Sequence, residues 1–290
     1  MAWALPAKPC KRMPRIDAHQ HFWHFDPVRD SWITDDMAVI RRDFGPADLQ
    51  PILAQHRLDG CVVVQSDQSE AENEFQLANA AAHDFIKGVV GWVDLRAENV
   101  AERLDYYQQF AKLKGFRHVL QGEADRALML RPSFQRGIGE LAQRGFTYDL
   151  LILPDQLGYA AELAAAFPDQ PFVVDHIAKP PIRAQEIDAW MRGIRALAAH
   201  ENVCCKVSGM VTEADWQHWE PEDFRPYLDV VFAAFGPQRV LYGSDWPVCN
   251  VAGGYARAFG ILEEYMRPFS AAEQALFWGD NAVRFYGLTV

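Results

Sequence analysis

Gly60-Cys61-Val62-Val63-Val64-Gln65 is a short apolar run opened by a glycine, and runs of the same kind recur along the chain. Downstream lie Gly88-Val89-Val90-Gly91-Trp92-Val93-Asp94-Leu95, Gly115-Phe116-Arg117-His118-Val119-Leu120-Gln121 and Phe146-Thr147-Tyr148-Asp149-Leu150-Leu151-Ile152-Leu153. Pro171-Phe172-Val173-Val174-Asp175-His176, Val203-Cys204-Cys205-Lys206-Val207-Ser208-Gly209 and Arg239-Val240-Leu241-Tyr242-Gly243-Ser244-Asp245 continue the series, and Arg15-Ile16-Asp17-Ala18-His19-Gln20-His21-Phe22 precedes it. Continuous valine-rich runs without clean alternation are what strands covered on both faces look like. Residues 74–83, 101–112, 133–144, 157–167, 187–200, 224–235 and 255–266 read as amphipathic helices between them. Strands alternating with helices imply parallel βαβ units, and eight such strands predict a closed α/β barrel, a (β/α)8 TIM barrel, rather than an open sheet.

The length of 290 residues suits one such barrel, and no linker suggests a second domain. The barrel is expected over 15–290, preceded by a flexible tail at 1–14. The longest insertions, 23–44 and 210–226, follow the first and seventh strands, which places both over the C-terminal mouth where barrels hold substrate. No glycine-rich GxGxxG or GxxxxGK[ST] follows any strand, so the usual nucleotide cradle is not expected. The net charge of -11, from 28 basic and 39 acidic residues, argues against a nucleic-acid surface. No apolar run approaches a membrane span, and the basic residues of the first segment follow its apolar part, the wrong order for a secretory signal. Five cysteines, Cys10, Cys61, Cys204, Cys205 and Cys249, include no CxxC pair, and they read as reduced thiols in a cytoplasmic protein.

Polar residues crowd the C-terminal ends of the strands. His19 and His21 lie two apart, so their imidazoles share a face and can converge on one point. His176 ends the sixth strand and Asp245 the eighth. Each alone reads equally well as a satisfied buried polar group; their joint position at one barrel mouth makes a catalytic set the better reading. Asp17-Ala18-His19-Gln20-His21, the Asp175-His176 segment and Gly243-Ser244-Asp245-Trp246-Pro247 together resemble the amidohydrolase superfamily, in its branch related to amidohydrolase 2. Gly115-Phe116-Arg117-His118-Val119, with Glu123 and Asp125, is similar to the sugar-lactone hydrolases of that branch, such as those acting on L-fuconolactone and L-rhamnonolactone. The resemblance runs from about Arg15 to Tyr286.

That resemblance carries over onto His19, His21, His176 and Asp245. The fifth strand reads Tyr148-Asp149-Leu150-Leu151, without the family's histidine, and the bridging lysine of two-metal members is absent near the end of the fourth, so a binuclear centre is not expected. What remains is either one divalent ion, zinc by preference, on His19, His21 and Asp245 with Glu123 as an extra oxygen ligand, or a metal-independent site in which the same residues act through charge and hydrogen bonds. The activity implied is hydrolysis of a small-molecule sugar lactone, with Asp245 activating water and His176 or the strand-one imidazoles facing the carbonyl oxygen. His118, Gln121, Gln65, Asp67 and Lys179 are candidate substrate contacts, and Trp23, Trp92 and Trp246 candidate walls. A dicarboxylate lactone would ask for clustered arginines, and nothing groups Arg41, Arg42, Arg117 and Arg183. A metal-dependent decarboxylase of an aromatic or muconate-like acid is a further alternative, disfavoured by the missing histidine, and a non-catalytic scaffold is disfavoured by the cost of burying such groups without use.

Overall fold

The computed structural model describes residues 13–290. The strands are β1 (Ile16–Gln20), β2 (Gly60–Val64), β3 (Ile86–Gly91), β4 (Leu113–His118), β5 (Thr147–Leu150), β6 (Phe172–Val174), β7 (Val203–Val207) and β8 (Val240–Tyr242). They pair in sequence order, all parallel, as one 8-stranded sheet. A parallel bridge from Gln20 to Trp246 joins the last strand region to the first. The (β/α)8 barrel expected from the valine runs is the fold. Among the described residues no helix is long and apolar enough to cross a membrane. The tail expected over 1–14 lies outside the described residues except for Met13 and Pro14, and so does Cys10.

Each strand is followed by a helix: α1 (Pro46–Gln55), α2 (Glu70–Ala82), α3 (Val100–Tyr107), α4 (Pro132–Arg144), α5 (Leu157–Ala166), α6 (Asp188–Ala198), α7 (Arg225–Phe235) and α8 (Tyr255–Met266). Their apolar stripes pack on the outer face of the sheet, around Phe116, Tyr148, Phe172 and Tyr242. Two short helices, α9 (Ala271–Ala275) and α10 (Asn281–Tyr286), close the chain. The helix α1 and this terminal pair have no counterpart among the helices expected from sequence. Inside the barrel, Ile16, Ala18, Val62, Val64, Val90, Val173 and Leu241 form an apolar floor that α10 plugs with Ala282 and Tyr286.

Above the floor the interior turns polar. Asp149, Lys206, Asp175 and Arg117, from β5, β7, the end of β6 and β4, are buried together there. Lys206 Nζ lies 2.5 Å from Asp149 and 3.0 Å from Asp175, and Arg117 donates to the other Asp175 oxygen at 3.0 Å. Tyr286 of the plug donates to Asp149 at 2.9 Å. Charges this deep are stable only when paired, and these pair with one another.

The register shifts by one residue at β1–β2, β2–β3 and β3–β4, and the shift in β1 bears on the site. Asp17 pairs with Cys61 but Gln20 with Val63, so β1 carries one extra residue against β2. With Ala18 already facing inward, simple alternation would send His19 outward; the extra residue turns it into the barrel. Bulges beside active sites re-aim side chains in this way.

Candidate active site

His19, His21, His176 and Asp245 meet at the C-terminal mouth, directly above the polar layer. His19 Nε2 and His21 Nε2 are 3.3 Å apart. Asp245 Oδ1 lies 3.3 Å from His21 Nε2 and 3.9 Å from both His19 Nε2 and His176 Nε2. All four residues are at most 5% exposed. His21, His176 and Asp245 sit just past the ends of their strands, which stop earlier than the sequence suggests, at Gln20, Val174 and Tyr242. The turn after β6 runs left-handed through His176 (φ 53°), Ile177 (49°), Ala178 (58°) and Lys179 (48°), and Asp245 has φ 57°. Such angles cost non-glycine residues roughly 1–2 kcal/mol each and persist where the surroundings hold them. Here they swing His176 and Lys179 over the mouth.

Proton positions follow from the fixed partners. His21 Nδ1 faces the carbonyl oxygen of Val64 at 2.7 Å, and a carbonyl only accepts, so Nδ1 carries a hydrogen and Nε2 is the nitrogen turned to the mouth. His19 Nδ1 faces the Asp175 carboxylate at 3.3 Å, while Arg117, an obligate donor, lies 3.3 Å from His19 Nε2. Lys206 Nζ also lies 3.3 Å from Nδ1, but a hydrogen on Nε2 would face the Arg117 guanidinium, so His19 carries its hydrogen on Nδ1, toward Asp175. Burial holds the His19 and His176 imidazoles well below their usual range, so both are neutral. Burial alone would raise the Asp245 carboxyl, but His176, His21 and the charge of Lys179 outweigh it and keep the group ionised.

Nε2 of His19, Nε2 of His21 and a carboxylate oxygen of Asp245 thus face one another. Zinc binds nitrogen and oxygen at roughly 2.0–2.2 Å, which spaces neighbouring atoms of a tetrahedral site by about 3.3–3.6 Å. Two of the three separations, His19 to His21 and His21 to Asp245, match at 3.3 Å, the third is wider at 3.9 Å, and the back of each imidazole faces a carbonyl or carboxylate, as in metal-ligating histidines. The residues fit one divalent ion. The other group with ligand spacing, His19, Asp175 and His176, shares His19 and has its carboxylate engaged by Lys206 and Arg117.

A cavity of about 550 Å³ opens over this cluster, lined by His21, His176 and Asp245 at its base. Of the candidate contacts, Asp67, Gln121 and Lys179 line it. Gln121 Oε1 is buried without a hydrogen-bond partner, an acceptor left for a ligand, and Lys179 pairs with Glu213 at 3.2 Å. Both long insertions do reach the mouth, contributing Trp32 and Met37 from one and Thr212, Glu213 and Trp216 from the other.

Several expected contacts stand elsewhere. Glu123 does not join His19, His21 and Asp245: its carboxylate is taken by His118 Nε2 at 2.7 Å. His118 in turn accepts from Trp92 Nε1 at 3.3 Å, so His118, Trp92 and Glu123 form a closed chain outside the cavity lining. Gln65 is fully buried and holds the β4 backbone through Arg117 O at 3.1 Å. Trp23 donates to Arg42 O and packs on Trp32 and Phe44, behind His21 rather than in the cavity. Trp246 packs on Phe22 and Phe44. The aromatic wall facing ligand is Trp32 and Trp216 instead.

Sequence reasoning missed the supporting layer of Asp149, Asp175 and Lys206 and offered Arg117 only as a carboxylate clamp. One signal was available: Lys206 interrupts a strand expected to be buried on both faces. Gly209 was also missed. A Cβ there, at φ 59°, would lie 2.5 Å from His176 Nδ1 and 3.0 Å from Asp245 Oδ2. Gly209→Ala is therefore expected to displace the imidazole and lower kcat at least about tenfold, since misplacements of 1 Å cost about that or more. Steady-state kinetics beside an unfolding curve checks this; an unchanged kcat overturns it.

A (β/α)8 barrel with histidines at the end of its first strand, one after the sixth and an ionised aspartate after the eighth defines a class of enzyme that activates water at the barrel mouth. The chain belongs to the amidohydrolase family, whose model, described as Amidohydrolase, matches residues 16–288. It is similar to an L-fucono-1,5-lactonase of Burkholderia multivorans, 39% identical over 285 residues that cover 94% of this chain and 96% of the relative. An L-fucono-1,5-lactonase of Burkholderia ambifaria is 36% identical over 276 residues, covering 94% and 95%. An amidohydrolase of Burkholderia multivorans crystallised with bound zinc superposes with a TM-score of 0.91 at 39% identity, over 95% of this chain and 100% of its own.

Proposed function

We propose that the enzyme opens a sugar lactone, L-fucono-1,5-lactone or a close relative such as L-rhamnonolactone, with water. The observation that carries this is the ionised Asp245 set among the imidazoles of His19, His21 and His176 at the base of a cavity that Asp67, Gln121 and Lys179 line beside Trp32 and Trp216, in a chain similar along its length to two L-fucono-1,5-lactonases. Asp245 takes a proton from water while the water oxygen adds to the carbonyl carbon. The ring C–O bond then breaks, and Asp245 returns the proton to the leaving alkoxide. The leaving group stays tethered, so one hydroxy acid is released. His176 faces the carbonyl oxygen as negative charge gathers there. Asp67, Gln121 and Lys179 read the ring hydroxyls, and Trp32 and Trp216 cover the apolar face.

His19, His21 and Asp245 would hold one divalent ion, zinc by the donor set, which would supply Lewis-acid charge to this centre. Arg117 is the arginine of the cavity, and its contacts with Asp175 and the Gln65 carbonyl leave no clamp for a dicarboxylate lactone. At β5, where a decarboxylase would use histidine, Asp149 is committed to Lys206. The setting proposed is cytoplasmic, in keeping with the free thiols of Cys61, Cys204, Cys205 and Cys249.

The test is a panel of aldonolactones and dicarboxylate lactones followed by proton release, on protein stripped by chelator and on protein reloaded with zinc. Aldonolactones should turn over at least about 100-fold faster than dicarboxylate lactones. Stripping should lower kcat about 100-fold or more, a few kcal/mol of barrier, with one zinc per chain restoring it. Carbon dioxide release from an aromatic acid with no lactone opened overturns the reading. Full activity of the stripped protein overturns the zinc assignment alone.

A further inference from the structure

The three imidazoles at the mouth differ in what stands behind them. His19 is backed by a carboxylate and His21 by a carbonyl, both obligate acceptors. His176 is backed by a hydroxyl: its Nδ1 lies 2.9 Å from Ser208 Oγ, just past the end of β7. Ser208 is 2% exposed. A serine hydroxyl has one proton to give and two lone pairs to offer. One lone pair is already used, because the backbone N–H of His176 donates to Ser208 Oγ at 3.3 Å. Among the described residues, Nδ1 of His176 is the acceptor within hydrogen-bond reach of that hydroxyl. A buried hydroxyl facing Nδ1–H would leave its own proton unpaired, a loss that buried groups rarely bear.

The other side of the ring points the same way. His176 Nε2 looks toward Asp245 Oδ1 at 3.9 Å. An N–H there is attracted by that charge, whereas His19, whose Nε2 lies at the same distance from the same oxygen, has its hydrogen held on Nδ1 by Asp175 and Arg117. We infer that Ser208 is a positioning residue that donates to His176 Nδ1 and so fixes His176 as an Nε2–H donor, where His19 and His21 carry a hydrogen on Nδ1. The site then sorts its imidazoles by role. Two turn Nε2 to the place where charge is gathered, and the third offers a hydrogen to the oxygen on which charge develops. The backbone N–H bond to the same oxygen also ties the left-handed turn at His176 to β7, so one hydroxyl sets both where the ring sits and which nitrogen carries its proton.

The catalytic half of this inference rests on the lactone reading; the tautomer half does not, and the two are separated by measuring the ring directly. Histidine is labelled with nitrogen-15 in the full-length protein, and the His176 signals are assigned by their loss in His176→Gln. At neutral pH His176 should show an unprotonated Nδ1 and a protonated Nε2, whereas His19 and His21 should show a protonated Nδ1. In Ser208→Ala the two His176 shifts should move toward each other, while kcat on the lactone falls about tenfold and KM stays within about threefold. Ser208→Thr, which keeps the hydroxyl, should retain the wild-type signature and most of kcat. A protonated Nδ1 on His176 in the wild-type protein overturns the inference, as does a Ser208→Ala protein whose His176 shifts are unchanged. Altered shifts with unchanged kcat overturn the catalytic half. If no lactone is opened at all, the lactone reading fails while the tautomer still stands or falls on its spectrum. Should Ser208→Ala fold poorly, the wild-type and threonine spectra decide the question by themselves.

Discussion

Asp245→Asn is expected to lower kcat on a sugar lactone by about 10³-fold, within the 10²–10⁴ range of a positioned general base, with KM changed by no more than a few-fold. Asparagine matches aspartate in size but cannot take a proton from water. The backbone should accept it: Asp245 has φ 57°, a left-handed conformation that asparagine tolerates better than most residues. The anchor of this turn, the Asp245 N–H donating to His19 O at 2.8 Å, is main chain and survives the change. The loss should therefore appear in turnover and not in the unfolding curve. Metal content measured on the same sample separates the two roles of the carboxylate. A variant that keeps its zinc and loses kcat identifies the base, and one that loses both identifies the ligand. Turnover within tenfold of wild type in a folded variant would remove Asp245 from the proton transfer.

The outline of this enzyme was legible because the strands of a parallel barrel are covered on both faces, and Val62-Val63-Val64 and Phe172-Val173-Val174 cannot be much else. The four groups at the mouth were legible because imidazoles and a carboxylate stood at strand ends, where a barrel places its chemistry. The ends themselves were not. β6 stops at Val174 and β8 at Tyr242 because the chain turns left-handed at His176–Lys179 and at Asp245. No glycine marks either of those positive φ angles. Neighbourhood in sequence also misled. Trp246 follows Asp245 and Trp23 follows His21 by two, but the chain has left the strand at both places and each ring turns into the packing behind the site. Glu123 was open to capture by the nearer His118, the last residue of β4. The polar layer was the hardest part to foresee. Lys206 becomes tolerable inside the barrel through Asp149 and Asp175, which reach it from two other strands, and those contacts exist only after closure.

That layer sets up the second large effect, which is on stability. Lys206→Met should cost about 3–5 kcal/mol, the usual penalty for removing one member of a buried charge cluster. Lys206 is fully buried, its Nζ 2.5 Å from Asp149, 3.0 Å from Asp175 and 3.3 Å from His19 Nδ1. Methionine fills much of the same volume, so the loss is one of charge, not of packing. Asp149 and Asp175 would then lie buried with Arg117 as their remaining cation. Asp149 is the more exposed to the change. Burial already raises its carboxyl to about 6 against the pull of Lys206, whose attraction works to lower it, and without that attraction it rises further. A carboxyl whose folded value lies above its unfolded value near 3.8 binds a proton more readily in the native state. The stability linked to that proton is fully present below the unfolded value and is lost as pH rises through the folded one. The variant's deficit should accordingly be largest at pH 8 and shrink as pH falls toward 5, a steeper recovery than wild type shows. Urea unfolding at several pH values measures both, and Lys206→Met combined with Asp149→Asn should regain part of the loss by removing the stranded carboxylate. A single variant within about 1 kcal/mol of wild type at pH 8 would mean that the polar layer does not hold the barrel interior together, and that His19 keeps its orientation without it.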